Sequence, residues 1–235
     1  MNKKIYYHFL SFENAKKALK NDRIKISLIN ELNDPFELLP YLRYREYKKR
    51  QKYHDIRKTI SKKYGLLCFS GNWEESLLWG HYADKHRGIA LGFEILKDEV
   101  FPICYRGELK RVEFELKNND SKNEKLFLDL ARVKYERWSY ENEYRIIISL
   151  GDCKKVRVSD RCKGKRVCRF LKFQERLKIK EIILGCKLNR RYYEEIKNLA
   201  KKHNAKVIPT REGWEGYNIR KDGTKEKEFK ILRSV

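Results

Sequence analysis

The stretch WSYENEYRI, residues 138–146, places two glutamates two positions apart just before an apolar run. That run predicts a β-strand over residues 143–150. Because side chains alternate along a strand, we expect Glu141, Glu143 and Arg145 to share one face. A row of Glu, Glu and Arg is a common salt-bridged pattern on exposed sheets, but two carboxylates side by side also suit a catalytic site. The stretch alone leaves both interpretations open.

Around this strand, short strands alternate with helices along the chain, without a long linker or an internal repeat. The 235 residues, of which 41% are hydrophobic, can bury a sizeable core. We therefore predict one α+β domain over residues 1–235. The predicted helices span residues 11–21, 41–63, 76–85, 126–138 and 191–203. The predicted strands span residues 5–9, 24–28, 66–70, 88–93, 143–150, 181–184, 206–209 and 228–232.

Hydropathy and the spacing of the cysteines limit the classes of protein to which this chain can belong. No run approaches the roughly 20 apolar residues of a membrane span, and the N-terminal residues lack the apolar stretch of a signal peptide. We therefore expect a cytoplasmic protein without a membrane partner. The six cysteines contain no CxxC pair, which favours reduced thiols over a disulfide framework. The spacing of Cys153, Cys162 and Cys168 fits no common zinc finger, so we expect no metal.

Positive charge is concentrated in two segments. The chain carries 56 Lys and Arg against 33 Asp and Glu, a net charge of +23. Residues 43–63 contribute +8 of this excess and residues 154–191 contribute +12. The first segment lies in a basic helical insertion predicted over about 41–63, and the second includes a basic hairpin region predicted over about 154–180. Clusters of this kind favour a polyanionic partner such as RNA or DNA, although many charge runs are only solvated faces.

Aromatic residues are interleaved with the basic residues of the first segment. Tyr41, Tyr44, Tyr47 and Tyr53 offer planes on which bases can stack beside phosphate-seeking charges. In the alternative interpretation these tyrosines pack inward from a solvated helix. The candidate nucleic-acid-binding residues of the two segments are Arg43, Arg45, Lys48, Lys49, Arg50, Lys163, Lys165, Arg166 and Arg169.

Three stretches, in chain order, resemble the motifs of the ADP-ribosyltransferase superfamily. IYYHFLSFENAKKALKNDRIKI, residues 5–26, resembles the first motif, a strand carrying a histidine followed by a helix and a second strand. LLCFSGNWEESLLWGHYADKHRGIALGFE, residues 66–94, resembles the second, in which a helix carries a tyrosine. YENEYRIII, residues 140–148, resembles the third, a strand that starts at the catalytic glutamate. Their order is that of the His-Tyr-Glu branch, which includes the poly(ADP-ribose) polymerases and the diphtheria-like toxins.

A second resemblance covers nearly the whole chain. The stretches NDPFE, LWGHYADKHRGIALGF, WSYENEYRI and IKEIILGC resemble a bacterial family catalogued as domain of unknown function 2971, which names no activity. In NDPFE, Asn33 and Asp34 are expected to close a turn ahead of Pro35. The transferase resemblance implies an α+β fold with split antiparallel sheets and flanking helices.

The transferase resemblance also implies a set of site residues and a substrate, NAD. Glu143 would face the positive charge that develops on the ribose when nicotinamide leaves, and Glu141 would orient the acceptor. His8 would hold the adenosine ribose, and Tyr82 would stack on the nicotinamide ring. Phe9 follows His8 where many family members have a glycine whose backbone lies near the nicotinamide amide. The candidate NAD contacts are completed by Ser70 and by Arg87, which could meet a phosphate.

These features together predict an NAD-dependent mono-ADP-ribosyltransferase that modifies a nucleic acid. The resemblance also implies a role as a toxin or in defence against phage, with an antitoxin or another defence protein as a partner. Two alternatives stay open. The protein could be a non-catalytic nucleic-acid-binding module, or it could be a nuclease in which Asp34, Glu141 and Glu143 gather a metal ion.

Overall fold

The computed structural model describes residues 2–43, 45–112, 120–160, 164–173 and 176–226.

Local sequence accounts for the first helix. The Ser11 hydroxyl caps the helix by accepting a hydrogen bond from the Asn14 N–H at 3.4 Å, and Asp22 ends it in the left-handed region at φ 51°. The residues between them bury one apolar face, as the spacing predicts: Phe12, Ala15, Ala18 and Leu19.

Strands and helices alternate through the described chain. The helices are α1 (Phe12–Asn21), α2 (Tyr47–Lys63), α3 (Ser76–Tyr82), α4 (Asp120–Leu130) and α5 (Tyr193–His203). The strands are β1 (Lys3–Leu10), β2 (Arg23–Lys25), β3 (Ser27–Leu28), β4 (Tyr64–Ser70), β5 (Ile89–Leu96), β6 (Phe101–Pro102), β7 (Cys104–Arg106), β8 (Val133–Tyr135), β9 (Glu143–Ser149), β10 (Lys154–Asp160), β11 (Gly164–Lys172), β12 (Lys178–Leu184), β13 (Lys206–Glu212) and β14 (Ile219–Lys221). Short 3-10 helices lie at Ile29–Glu31, Lys97–Glu99, Glu136–Glu141 and Arg190–Tyr192.

A curled, mainly antiparallel sheet organises these elements into one α+β domain. Its strand order is β14-β13-β12-β5-β1-β4-β9-β6, with β3 attached to β4. Within this sheet only β12 and β13 run parallel, and helix α5 connects them. Strands β10, β11 and β2 form a second sheet, and β7 pairs with β8 in a third. The predicted α+β class is therefore confirmed.

The large sheet opens between two central strands. Strand β1 pairs with β5 along its whole length, from Lys3 opposite Leu96 to Leu10 opposite Ile89. Its pairing with β4 is restricted to Tyr7 opposite Ser70. Strand β4 instead pairs along its length with β9, which brings Ser70 opposite Glu143. The ladder between β1 and β4 therefore stops at this pair, and a cavity lies beside the opening where the two strands separate.

Apolar side chains pack into separate clusters around the sheet. The largest joins α1 and α5 to the sheet and includes Leu19, Leu91 and Ile196, each fully buried. A second lies under α2 and α4, where Tyr53, Ile56 and Ile60 form the buried stripe of α2. A third joins α3 to β1 and β5 and includes Phe9, Trp79 and Ala90. These clusters fix the walls of the opening between β1 and β4.

Several predicted boundaries were wrong for local reasons. The helix predicted over 41–63 begins at Tyr47, because Tyr41 is extended and bridges Arg111. The helix predicted over 76–85 ends at Tyr82, because residues 84–86 all have positive φ. The segment predicted as a helix over 126–138 is the end of α4 followed by β8 and a 3-10 turn.

Three further predictions concern the basic hairpin, the last strand and a membrane-spanning helix. The basic hairpin is present as β10 and β11, which pair from Lys154–Phe170 to Asp160–Gly164. The strand predicted over 228–232 lies outside the described residues. None of the described helices is both long and apolar enough to cross a membrane.

Candidate functional site

The opening between β1 and β4 leads to a cavity of about 360 Å³. Residues that are far apart in the chain meet in its wall, contributed by β1, β4, α3, the segment 27–37, β8 and the 138–146 stretch. Its lining residues are Tyr7, His8, Phe9, Ser27, Glu31, Leu32, Asn33, Glu37, Cys68, Phe69, Ser70, Leu78, Tyr82, Lys134, Glu141 and Glu143. A volume of this size falls within the range of small-molecule sites.

The Glu143 carboxylate is held rigidly by Arg145, two residues further along β9. The Arg145 Nε donates to Glu143 Oε1 at 2.6 Å and its Nη2 donates to Oε2 at 2.9 Å, so the contact is bidentate. Arg145 is itself fully buried, and its Nη1 donates to the Ala131 carbonyl at 3.1 Å. The expected salt bridge on one strand face is therefore present, but in the interior of the protein and not on an exposed sheet.

Lys134 on β8 lies at the centre of three buried carboxylates. Its ammonium donates to Glu141 Oε2 and, at 3.0 Å, to Glu143 Oε2. It also lies 3.3 Å from Oε1 of Glu37, a residue of the NDPFE segment. Among the described residues, no group of His, Cys, Asp and Glu side chains is suited to hold a metal ion. The lysine supplies the central positive charge of this cluster.

The position of Glu141 differs from the prediction. Glu141 ends the 3-10 helix Glu136–Glu141, and Asn142 follows in the left-handed region at φ 43°. The prediction that Glu141 and Glu143 lie on one strand face was therefore wrong, because the strand begins only at Glu143. The turn at Asn142 nevertheless directs both carboxylates to Lys134, so the pair converges by a different geometry.

Tyr82 reaches the same cluster from the last turn of α3. Its hydroxyl donates to Glu141 Oε1 at 2.6 Å and accepts a hydrogen bond from Asn33 Nδ2 at 3.1 Å. Burial, followed by the charge of Glu141, raises the pKa of Tyr82, so the hydroxyl keeps its proton. Tyr82 and Asn33 thus join the wall of the cavity to the carboxylate cluster.

His8 spans the gap between the diverging strands with its side chain. Its Nδ1 lies 2.7 Å from the carbonyl oxygen of Cys68 on β4. Because a carbonyl only accepts, Nδ1 must carry the proton, which leaves Nε2 as an acceptor. Burial lowers the pKa of His8, so the ring is neutral at neutral pH.

The remaining candidate NAD contacts fall into two groups. Phe9 and Ser70 line the cavity, although Phe9 also packs edge-on against Trp79 and the Ser70 hydroxyl donates to the Asn72 carbonyl at 2.7 Å. Arg87 does not line it: its exposed side chain lies 3.6 Å from Asp84 in the turn after α3. The suggested contact between Arg87 and a phosphate stays a prediction.

The pKa values of Glu141 and Glu143 are shifted in opposite directions. Burial alone would raise the pKa of Glu143, but Arg145 and Lys134 outweigh it and lower this pKa to about 2. For Glu141, burial outweighs Lys134, so its pKa is raised. With every group ionised, three carboxylates of the cluster face the two cations Lys134 and Arg145. The cluster then carries a net charge of −1 beside the cavity.

Two residues of this cluster were missed from the sequence. Glu37 belongs to the NDPFE segment, in which the residue types indicated a turn at Asn33 and Asp34. That turn forms: the Phe36 N–H donates to Asp34 Oδ1 at 2.9 Å. Lys134 lies in the segment that was predicted as a helix over 126–138 and was not singled out there. A lysine in the middle of the short strand VKY is indistinguishable in sequence from a solvated one.

The basic helix α2 lies apart from the residues that line the cavity, and its side chains differ in availability. Arg43, Arg45 and Lys48 are exposed, as is the ring of Tyr47. Lys49 is paired with Glu46 at 2.6 Å, and Arg50 lies over the ring of Tyr47. One predicted stacking residue is unavailable, because Tyr53 is buried and its hydroxyl donates to the Leu38 carbonyl.

The second basic segment is described only in part. Arg169 on β11 is half-buried, and its Nη1 donates to the Leu150 carbonyl at 2.7 Å, so it supports the fold. Lys163 lies outside the described residues, and the described positions do not include the side chains of Lys165 and Arg166. Nucleic-acid binding by these residues stays a prediction.

Comparison with known proteins does not assign a family or a function to this chain. No protein-family model matches the chain, and no curated protein or solved structure matches it. The two resemblances described from sequence therefore remain hypotheses, and the function must be argued from the residues of the cavity themselves.

Proposed function

We propose that this protein is an NAD-dependent mono-ADP-ribosyltransferase that modifies a nucleic acid. The observation that carries the proposal is the convergence of His8, Tyr82 and Glu143 on one cavity, although up to 135 positions separate them in the chain. The opening between β1 and β4 also agrees with the split antiparallel sheets that the transferase resemblance implies.

The charge of the cavity wall suits the proposed transition state. Loss of nicotinamide from NAD leaves positive charge on the ribose as an oxocarbenium ion. An ionised Glu143 held in place by Arg145 would oppose that charge without having to reorganise. The excess negative charge of the cluster acts in the same direction.

Neutral groups on the wall suit a ribose and a planar ring. With the proton on Nδ1, the Nε2 of His8 can accept a hydrogen bond from a ribose hydroxyl. The Tyr82 ring lines the cavity while its hydroxyl is fixed by Glu141 and Asn33, which suits stacking on nicotinamide. In the proposed reaction, the bond between ribose C1′ and nicotinamide N1 breaks and its electron pair goes to N1. C1′ then bonds to an acceptor oxygen or nitrogen that gives up a proton.

The exposed basic residues at the start of α2 and just before it support a polyanionic acceptor. Arg43, Arg45 and Lys48 are exposed close to the exposed ring of Tyr47, an arrangement that serves both phosphates and bases. The nuclease alternative is less well supported, because the ammonium of Lys134 lies among the carboxylates that a metal ion would need.

Replacing Glu143 by Gln tests the catalytic proposal. The change removes one charge at nearly constant volume, so nicotinamide release should fall by about 100-fold or more, the order lost when one transition-state contact is removed. The assay is incubation of the protein with labelled NAD and a panel of RNA, DNA and protein acceptors, comparing the natural and the Glu143→Gln proteins.

Glu94→Gln is the matched control, because Glu94 lies on β5 and its ion pairs with Lys3 and Lys180 are half-exposed. It should retain full activity. Circular dichroism of all three proteins reports whether the fold is preserved, and a His8→Gln protein provides a second site variant if Glu143→Gln does not fold. Full activity in a folded Glu143→Gln protein would exclude the catalytic role.

The binding-module alternative draws on one specific observation. Both oxygens of Glu143 are satisfied by Arg145 and Lys134, as in a purely structural ion-pair network. In that case the natural protein would release no nicotinamide with any acceptor, and it would still bind RNA or DNA in a salt-dependent manner.

A further inference from the structure

Exposed aromatic rings and guanidinium groups alternate over the start of α2 and an adjoining segment, residues 106–111. Tyr41 is extended, and its N–H donates to the Lys110 carbonyl at 2.9 Å. The next residue of that segment, Arg111, places its guanidinium over the Tyr41 ring, 4.9 Å from the ring centroid. Both side chains are exposed, that of Tyr41 at 39%. Tertiary structure therefore adds Arg111 to the basic surface of α2.

The same surface continues from Tyr41 to a second ring. The Nη1 of Arg50 donates to the Arg43 carbonyl at 3.4 Å, and its guanidinium lies 6.0 Å from the centroid of the Tyr47 ring. Tyr47 is 62% exposed, and the Arg43 side chain is exposed as well. Tyr44 lies outside the described residues. We call this set the aromatic–arginine row; it consists of Arg111, Tyr41, Arg43, Arg50 and Tyr47.

The acidic residue beside the row is already engaged. Oε1 of Glu46 is paired with Lys49 at 2.6 Å, and its Oε2 accepts a hydrogen bond from the Arg43 N–H at 2.9 Å. Arg45 and Lys48 are exposed nearby. The surface around the two rings is therefore strongly positive, as contact with a polyanion requires.

The two exposed rings favour a single strand over a duplex. A tyrosine ring stacks on the flat face of a base, and these faces are accessible in unpaired nucleotides but are covered by the neighbouring pairs in a duplex. Cations alone would serve the phosphates of either form equally well. Two rings, each beside a guanidinium group, therefore indicate a partner with unpaired bases.

The row begins close to the cavity. Glu37, which lines the cavity, precedes Tyr41 by four residues. Their Cα atoms are therefore at most about 14 Å apart, because a residue spans no more than about 3.6 Å. About four stacked nucleotides cover this distance.

We propose that the aromatic–arginine row binds single-stranded RNA or DNA, whose bases stack on Tyr41 and Tyr47 while its phosphates contact Arg43 and Arg111. The inference deepens the proposed function and rests on it in one respect, that the bound strand is the acceptor of the ADP-ribosyl group. Binding of the strand itself does not depend on the transfer reaction.

Binding of oligonucleotides to the natural protein tests the preference without any substitution. The probes are a labelled strand of about 12 nucleotides without self-complementarity, made as RNA and as DNA, and the DNA duplex of the same sequence. Each is titrated by fluorescence anisotropy at the same salt concentration. At least one single strand should bind about 10-fold more tightly than the duplex, because only unpaired bases can stack. A duplex that binds as tightly as both strands would overturn the inference.

Tyr41→Ala/Tyr47→Ala removes both rings and no charge. Since each stacked base contributes about 5-fold or more, this protein should bind the single strand about 25-fold more weakly and the duplex within about 3-fold of the natural protein. Tyr135→Ala/Tyr217→Ala is the matched control, because these two tyrosines are exposed at 44% and 101% in other segments. Its affinities should equal those of the natural protein. Equal losses in both proteins would overturn the role of the two rings.

Arg111→Gln tests the phosphate contact separately. The slope of log affinity against log salt for the single strand should become shallower by about 0.7, as expected when one contact is lost. Arg132→Gln is the matched control: its exposed guanidinium also lies 4.9 Å from a ring centroid, that of Phe101. Its slope should equal that of the natural protein. The same change in both proteins would overturn the role of Arg111.

Nicotinamide release separates this inference from the proposed function. A protein that prefers single strands but releases no nicotinamide with them would overturn the transferase proposal and leave the binding row in place. A protein that releases nicotinamide but binds single strands no more tightly than the duplex would overturn this inference and leave the transferase reaction in place.

Discussion

At the scale of single residues, the carboxylate cluster depends on its two cations. Arg145 and Lys134 are both buried, and together they bond Glu37, Glu141 and Glu143. Removing carboxylates and cations from water is costly, and the attraction between opposite charges offsets this cost only while both signs of charge are present. The cluster is therefore sensitive to the loss of a single charge, more than an exposed pair would be.

Replacement of Lys134 by Met should destabilise the fold by about 3–5 kcal/mol, because it removes the cation that the three buried carboxylates Glu37, Glu141 and Glu143 share. Denaturant unfolding followed by circular dichroism measures this free energy. Lys180→Met is the control on another strand: its half-exposed pair with Glu94 at 3.5 Å should contribute less than about 1 kcal/mol. Equal, small effects of both substitutions would contradict a buried ion-pair cluster.

At the scale of elements, helix α2 has a buried apolar face that packs against the core and an exposed basic side. Tyr53, Ile56 and Ile60 bury one face against the second apolar cluster. Lys48 on the helix is exposed, as are Arg43 and Arg45 before it. The buried stripe keeps the helix in place, so charges on the exposed side can be changed without disturbing the core.

Charge reversal on α2 should weaken RNA or DNA binding more than reversal elsewhere. In Arg45→Glu/Lys48→Glu, filter binding at rising salt should give lower affinity and a salt slope reduced by about 2, since two phosphate contacts are lost. The control Lys17→Glu/Lys206→Glu alters the net charge equally at exposed positions of α1 and β13. Equal loss in both proteins would mean that net charge, and not α2, attracts the polyanion.

At the scale of the whole molecule, the cluster makes the stability of the fold depend on pH in the acid range. Arg145 and Lys134 hold the pKa of Glu143 in the folded protein at about 2, compared with an ordinary value of 4.5. Folding therefore releases protons at this group when the pH lies between these values, so its stabilisation is complete above 4.5 and is lost as pH falls toward about 2. Glu141, whose pKa is raised by burial, acts in the opposite sense.

The difference between two proteins isolates the contribution of Glu143. The free energy of unfolding of the natural protein should fall as the pH drops from about 5 to about 2, whereas Glu143→Gln should show a smaller fall. Urea unfolding at a series of pH values measures both curves, and the contribution of carboxyl groups outside the cluster cancels in their difference. Parallel curves would mean that Glu143 is not held ionised by its neighbours.

Much of the framework was predictable from sequence because it depends on local pattern. The Ser11 cap and the apolar spacing of α1 predicted that helix, and the run after Glu143 predicted β9. The turn at Asp34 followed from the chemistry of its side chain. The α+β class followed from the alternation of short strands and helices along the chain. His8 and Tyr82 became candidates through the resemblance to the transferases, and their roles stay a prediction.

Only tertiary structure decided which residues meet. Lys134 and Glu37 lie in short segments without a distinctive pattern, and they become partners because β8 and the 33–37 segment pack around β9. Glu141 left the strand face assigned to it because Asn142 turns the chain before β9 begins. The sequence by itself thus determined the local helices, strands and turns, and which residues carry charge. Burial and long-range packing determined that Glu143 and Arg145 form an interior pair and not a solvated one, because solvent exposure is a property of the assembled sheet.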